Sequence, residues 1–228
     1  MITPSLPVDR GFLFKSDAKA EGGRATIGGW ECRDGCPPGK ARWFMVELFP
    51  STSPWVFMKA NDPGRVVATL ELLGTLLCLA VFDFENRGDS KGIHTITGTT
   101  DNMGNSLAMV KCLSTKWPLA PCMMELTEQL RKRQLELHLV WERRDKNIDA
   151  DSLTNEEFGA FDVDKRIQID FPSFPWLVLD QALVWAKEVY DISELAKTRR
   201  RESTFVDAGI WKRRKTAAAD RLKSKDPW

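Results

Sequence analysis

The chain has 228 residues, room for one good-sized domain with an extension or for two small domains. Hydrophobic residues make up 43% of it, ample for a buried core, and the formal net charge is only +1. The longest apolar run, Leu72 to Phe82, is about half of a membrane span, and the N-terminus lacks the charged-then-apolar pattern of an export signal.

In chain order, a short apolar run at residues 12–16 ends at Asp17. Ala25–Glu31 and Trp43–Phe49 are two further strand candidates, separated by the turn-rich RDGCPPGKA, so three antiparallel strands open the chain. That turn carries Cys32 and Cys36 at a Cys-x3-Cys spacing, which could begin a zinc site, but no second Cys/His pair follows at a suitable distance. With Cys78, Cys112 and Cys122 the count is five, and an odd number without an export signal points to reduced thiols in the cytoplasm or nucleus. A helix should begin near Pro63, a residue suited to the first turn, and run to about Phe82. Apolar residues lie nearly all round it, so it should be buried.

After the loop NRGDSKG, the β-branched stretch Ile93–Thr100 reads as a strand that ends at Asp101. Asn102–Lys116 and Cys122–Arg133 read as helices, and the Pro residues of KWPLAP divide them. Leu135–Trp141 alternates and is a strand, RRDKN is a loop, and a short helix carries Asp151 and Leu153. The order predicts an α/β fold: a five-stranded mixed sheet, three strands antiparallel and the rest joined by parallel crossovers, flanked by helices. Ligand sites in such sheets gather at strand ends, where Asp17 and Asp101 are expected.

The pattern weakens past residue 160, which suggests a domain over 1–160 and a helical, basic extension over 161–228, with one more helix near Leu177–Tyr190. From Lys197 to Trp228 there are eleven Lys or Arg and four Asp or Glu, a balance of +7, against 22 basic and 28 acidic residues before it. A basic tail behind an acidic body suits a polyanion, although a solvated terminus has the same composition.

Asp17, Glu71, Asp101 and Asp151 each stand where the predicted elements would bring them to one point. Gathered carboxylates repel one another and resist desolvation, so a fold seldom collects them without a cation. Carboxylate-held cations over a backbone phosphate are the chemistry of a nuclease. Each acid has a second reading. Asp17 could be a turn residue before glycines, and Asp101 could cap the helix that follows. Asp149 competes with Asp151, and Glu71 could pair with Arg65 or Lys59.

Asp17-Ala18 with the glycine-rich turn into IGGW, LELLGTLL around Glu71, TGTTDNMGN around Asp101 and NIDADSLTN around Asp151 together resemble the ribonuclease H domain of reverse-transcribing retroelements, within the ribonuclease H-like superfamily. The resemblance covers residues 12–158, with motif spacings of 54, 30 and 50 residues. It implies that Asp17, Glu71, Asp101 and Asp151 are the catalytic, metal-binding acids and that they hold two Mg²⁺ ions, with Mn²⁺ also suited to such hard oxygen ligands. The substrate it implies is an RNA–DNA hybrid, of which the RNA strand is cut. Gly22 and Gly23 in the turn, Asn105 after Asp101, and Arg143, Arg144 and Lys146 before the last motif are the candidate nucleic-acid contacts.

The chain departs from the family in several ways. The family often carries a mobile His before its last Asp, but here the two His are His94 and His138, outside that loop, so Glu142 or Arg143 would have to stand in. Lys19 stands where a small polar residue is commoner. No Tyr-x-Asp-Asp polymerase motif is present, so the resemblance suggests a module separated from its polymerase, with room for a polymerase or another retroelement protein as partner. Two readings compete with the enzyme: a ribonuclease H-like module that binds nucleic acid or protein without cutting, and strand-transfer or junction-cleaving chemistry on the same fold.

Overall fold

The computed structural model describes residues 12–58, 66–84, 93–111, 114, 116–185, 187–189, 191–192 and 195–196. The chain divides into two compact units, Met1–Val184 and Trp185–Trp228. Among the described residues no helix is long and apolar enough to cross a membrane.

Alternation builds the first hairpin of unit one. Phe14, Ser16 and Ala18 of β1 (Phe14–Glu21) are buried on one face, and on the other Lys15 and Lys19 are partly exposed with the buried Asp17 between them. The turn at Gly22 and Gly23, with φ of 60° and 82°, uses the positive φ that glycine adopts without strain. It returns the chain into β2 (Arg24–Glu31), and β3 (Trp43–Leu48) adds on antiparallel. β4 (His94–Thr100) pairs parallel with β1, and β5 (Leu135–Trp141) pairs parallel with β4. The strand order is β3-β2-β1-β4-β5. This is the expected mixed sheet, three antiparallel strands followed by two parallel pairings.

One face is covered by α2 (Val67–Val81). Its leucines point all round: Leu70, Leu72, Leu73, Leu76, Leu77 and Leu79 are fully buried, each worth about 1.5–3 kcal/mol. The start expected near Pro63 falls outside the described residues. Where α2 meets the sheet it carries Gly74, whose missing Cβ would stand 3.1 Å from Cβ of Ser16 and 3.2 Å from Cγ2 of Ile27. Glycine therefore lets the helix lie against β1 and β2. A short α1 (Pro54–Phe57), not expected from the sequence, precedes it, while α3 (Met103–Lys111) and α4 (Leu119–Arg133) follow β4.

The opposite face carries α5 (Ile148–Thr154). Ala150 and Leu153 pack there with Trp30, Trp43 and Phe161 in a second core. Gly28 makes this possible, since a Cβ at that position would sit 2.6 Å from Cβ of Leu153.

Past residue 160 the described chain still belongs to the core: Phe171 and Leu179 are buried in the main cluster. Glu125 of α4, fully buried, accepts backbone N–H bonds from Leu177 (3.0 Å), Val178 (2.6 Å) and Leu179 (2.9 Å), capping the helical residues 179–184.

Several strand and helix limits differ from expectation, and α3, expected over Asn102–Lys116, runs only from Met103 to Lys111 among the described residues. β1 does not end at Asp17; it continues to Glu21 because β2 supplies partners all along it, and Asp17 lies opposite Gly28. α4 starts at Leu119, before Pro121, because a proline in the first turn gives up only an N–H that has no helical partner.

Candidate active site

β1 and β4 pair only at Phe14–Gly98 and Lys15–Thr99. Two residues further along that register, Asp17 and Asp101 stand level, one inside the β1–β2 ladder and the other just past the end of β4. Glu71 comes from α2, one turn before Gly74, and Asp151 from α5. The structure thus brings all four acids within electrostatic reach: Asp17 feels Asp101 and Asp151, Glu71 feels Asp101 and Asp17, and Asp101 feels Asp151.

The inner pair is buried, Asp17 at 2% exposure and Glu71 at 9%. The side chains of Asp101 and Asp151 are 12% and 41% exposed. Burial, followed by the charge of Asp101, pushes the carboxyl of Glu71 up to about 8, against a hydrogen bond from Asn102 and with Asp17 adding to the rise. Its Oε2 is buried and finds no hydrogen-bond partner among the described residues. Lys59 and Arg65, considered above as its partners, are not among them. Burial also raises Asp17, opposed by a hydrogen bond from Thr154, with Asp101 and Asp151 adding to the rise. Asp101 is raised by burial and drawn back by Arg144.

Neighbours fix the acids in place. The Thr154 hydroxyl donates to Oδ2 of Asp17 at 2.8 Å. The Nδ2 of Asn147, at the start of α5, donates to the carbonyl of Ser16 at 3.1 Å. Trp141 Nε1 donates to the carbonyl of Asp101 at 3.0 Å. Asn155 Nδ2 donates to Oδ2 of Asp151 at 2.9 Å. The cap of α3 is Asn102, whose Oδ1 accepts the N–H of Asn105 at 3.2 Å, so the carboxylate of Asp101 is not spent on capping that helix. Asp149 takes part in none of these contacts.

Arg144 is the cation that approaches the acids, 3.7 Å from Asp101 and 3.9 Å from Asp151. Among the described residues no group of three acidic, His or Cys side chains is already drawn together to hold a metal ion. The donor set nonetheless fits hard divalent ions: four carboxylates from four elements, one with a buried, unpartnered oxygen. Like charges held only by an exposed guanidinium have no reason to close further.

The expected nucleic-acid contacts divide. Gly22 and Gly23 form an open turn with no atoms within 4 Å of where a Cβ would be. Arg143, Arg144 and Lys146 are exposed beside the acids, Arg143 in an ion pair with Asp145 at 3.2 Å. Asn105 is a correction: it is 1% exposed, and its Nδ2 donates to the carbonyl of Ala68 at 2.7 Å, tying α3 to α2 rather than reaching a strand. Glu142, considered as a substitute for the missing His, is held by Lys15 at 2.6 Å. Cys32, Cys36, Cys78 and Cys122 are free thiols, and the basic stretch from Lys197 to Trp228 lies outside the described residues. Thr154, Asn147 and Asn155 were missed as site residues; all three lie within the last motif, on or beside α5.

No family model matches the chain, and no curated protein matches it. Its structure is similar to the crystal structure of RNase H1 from the halophilic archaeon Halobacterium salinarum NRC-1, at 16% identity and a TM-score of 0.44, over 63% of this chain and 94% of that one.

Proposed function

We propose that the chain is a divalent-metal-dependent endonuclease that hydrolyses the RNA strand of RNA–DNA hybrids, a ribonuclease H module of the retroelement type. One observation supports this reading: Asp17, Glu71, Asp101 and Asp151 come from separate parts of the fold yet lie within electrostatic reach of one another, and two of them are buried. A fold gains nothing from that arrangement unless a cation joins it.

Asp17, Glu71, Asp101 and Asp151 would hold two Mg²⁺ ions, or Mn²⁺. Bound there, such ions supply Lewis acidity at the phosphate and a nucleophilic water at neutral pH. The chain's own residues do the rest. The hydrogen bond from Thr154 opposes the rise that burial imposes on Asp17 and holds its carboxylate in place. Asn155 orients Asp151, and Trp141 fixes the backbone of Asp101. Arg143 and Lys146, exposed before α5, attract backbone phosphates. The open Gly22–Gly23 turn offers backbone to a groove, where 2′-hydroxyls distinguish RNA from DNA.

Incubation of a labelled RNA–DNA hybrid with the protein and Mg²⁺ tests the reading, with Asp101→Asn alongside. Cutting of the RNA strand by the parent and its loss in the variant are expected. Binding without cutting would make the chain a silent module, and equal cutting of duplex DNA would favour strand-transfer chemistry.

A further inference from the structure

Beside the acids lies a cavity of about 350 Å³ walled by Lys19, Arg144, Asp145, Ile148, Asp151 and Asn155. Asp151 belongs also to the set of acids, so whatever enters the cavity lies next to it. Two of its walls are cations with donors to spare. The contacts of Arg144 at 3.7 and 3.9 Å are too long to be hydrogen bonds. Lys19 Nζ reaches Oδ1 of Asn155 at 3.0 Å and the exposed Glu21 at 2.9 Å, a pair that water competes for. The carboxylate of Asp145 is engaged by Arg143. Ile148, 64% exposed, offers an apolar wall on which a sugar can rest.

We propose that this cavity receives a backbone phosphate of the bound nucleic-acid strand, the one adjoining the phosphate to be cut, and that Lys19 is the cation that recognises it. The inference rests on the nuclease reading and adds a subsite to it. β1 alternation puts Lys19 on the same face as Asp17, two residues further along the strand, and its ammonium reaches Asn155, which holds Asp151. Asn155 joins the two, accepting from Lys19 and donating to Asp151. Occupancy by a phosphate would take over the donors of Lys19 and Arg144, and the guanidinium fork suits two phosphate oxygens.

The test is binding of a fluorescent RNA–DNA hybrid in Mg²⁺ by full-length protein carrying Asp101→Asn, so that the substrate stays whole. Lys19→Ala in that background should weaken binding about tenfold and lower the salt slope by about one phosphate contact, while Lys19→Arg keeps both. A hybrid with a single methylphosphonate beside the cut position should lose affinity for the parent but no further affinity for Lys19→Ala. Unchanged affinity and slope in Lys19→Ala would overturn the subsite and leave the nuclease reading standing. No hybrid binding by the parent would overturn both.

Discussion

The hydroxyl of Thr154 on α5 donates a 2.8 Å hydrogen bond to Oδ2 of Asp17 on β1, joining two of the four acid-bearing elements. It holds down an acid that burial and neighbouring carboxylates push up. Thr154→Val should therefore raise Asp17 further and move the acidic limb of the pH profile for hybrid cleavage to higher pH. A hydrogen bond to a charged group is worth about 1.5–3 kcal/mol, so activity below the limb should fall by about tenfold or more. An unmoved limb would show that Asp17 is not the group titrating there.

The carboxyl of Glu71 rises from 4.5 to about 8 in the folded chain. The folded state thus holds a proton that the unfolded state releases, and stability should fall as pH rises from about 4.5 to about 8. The loss is on the order of a few kcal/mol. Thermal unfolding in chelator should show this decline, Mg²⁺ should restore more at the alkaline end than at the acidic end, and Glu71→Gln should flatten the slope. A flat profile in the parent would remove the claim that Glu71 is a strained anion.

Asp101→Asn deletes one of the repelling charges without altering shape. Hybrid cleavage should drop by at least about a hundredfold, as for a residue that touches the reacting centre. The melting temperature in chelator should hold or rise. A variant that cleaves at the parental rate would displace Asp101 from the chemistry.

Gly28 faces Leu153 so closely that a Cβ would stand 2.6 Å from that residue's own Cβ. Gly28→Ala should push α5 off the sheet, cost about 1–3 kcal/mol in denaturant unfolding and slow cleavage by displacing Asp151. Parental stability would mean that α5 is free to shift.

Glu125 holds three successive backbone N–H groups. Glu125→Gln leaves one acceptor oxygen where there were two, so unfolding should ease by about 1–3 kcal/mol. Hydrogen exchange at Leu177, Val178 and Leu179 should quicken. Exchange rates equal to the parent's would exclude the anchor.

Alternation made β5 readable from its residues, with Leu135, Leu137 and Leu139 buried and Glu136 and His138 exposed. The apolar girth of α2 made its burial readable as well. The far end of β1 was not. Asp17, Lys19 and Glu21 look like the exit of a strand, and only the β2 ladder and the cover of α5 explain why the strand runs on. Asn105 was misread for a related reason: its partner is a carbonyl 37 residues away on another helix, which local spacing does not encode. The anchoring role of Glu125 was equally hidden, one acid among several polar residues of α4 until the 177–179 backbone arrives. Among the acids, the motifs singled out which residues to compare, and the fold brought them within electrostatic reach of one another.

The uneven seating of the carboxylates has a further consequence. Asp17 and Glu71 are bolted into the scaffold, whereas Asp101 and Asp151 stand at its margin. Replacing a marginal acid disturbs little packing, so one quiet substitution would remove the proposed chemistry while the architecture persists. On that reading, a variant altered only at the margin would keep its shape and differ from the parent at that rim alone.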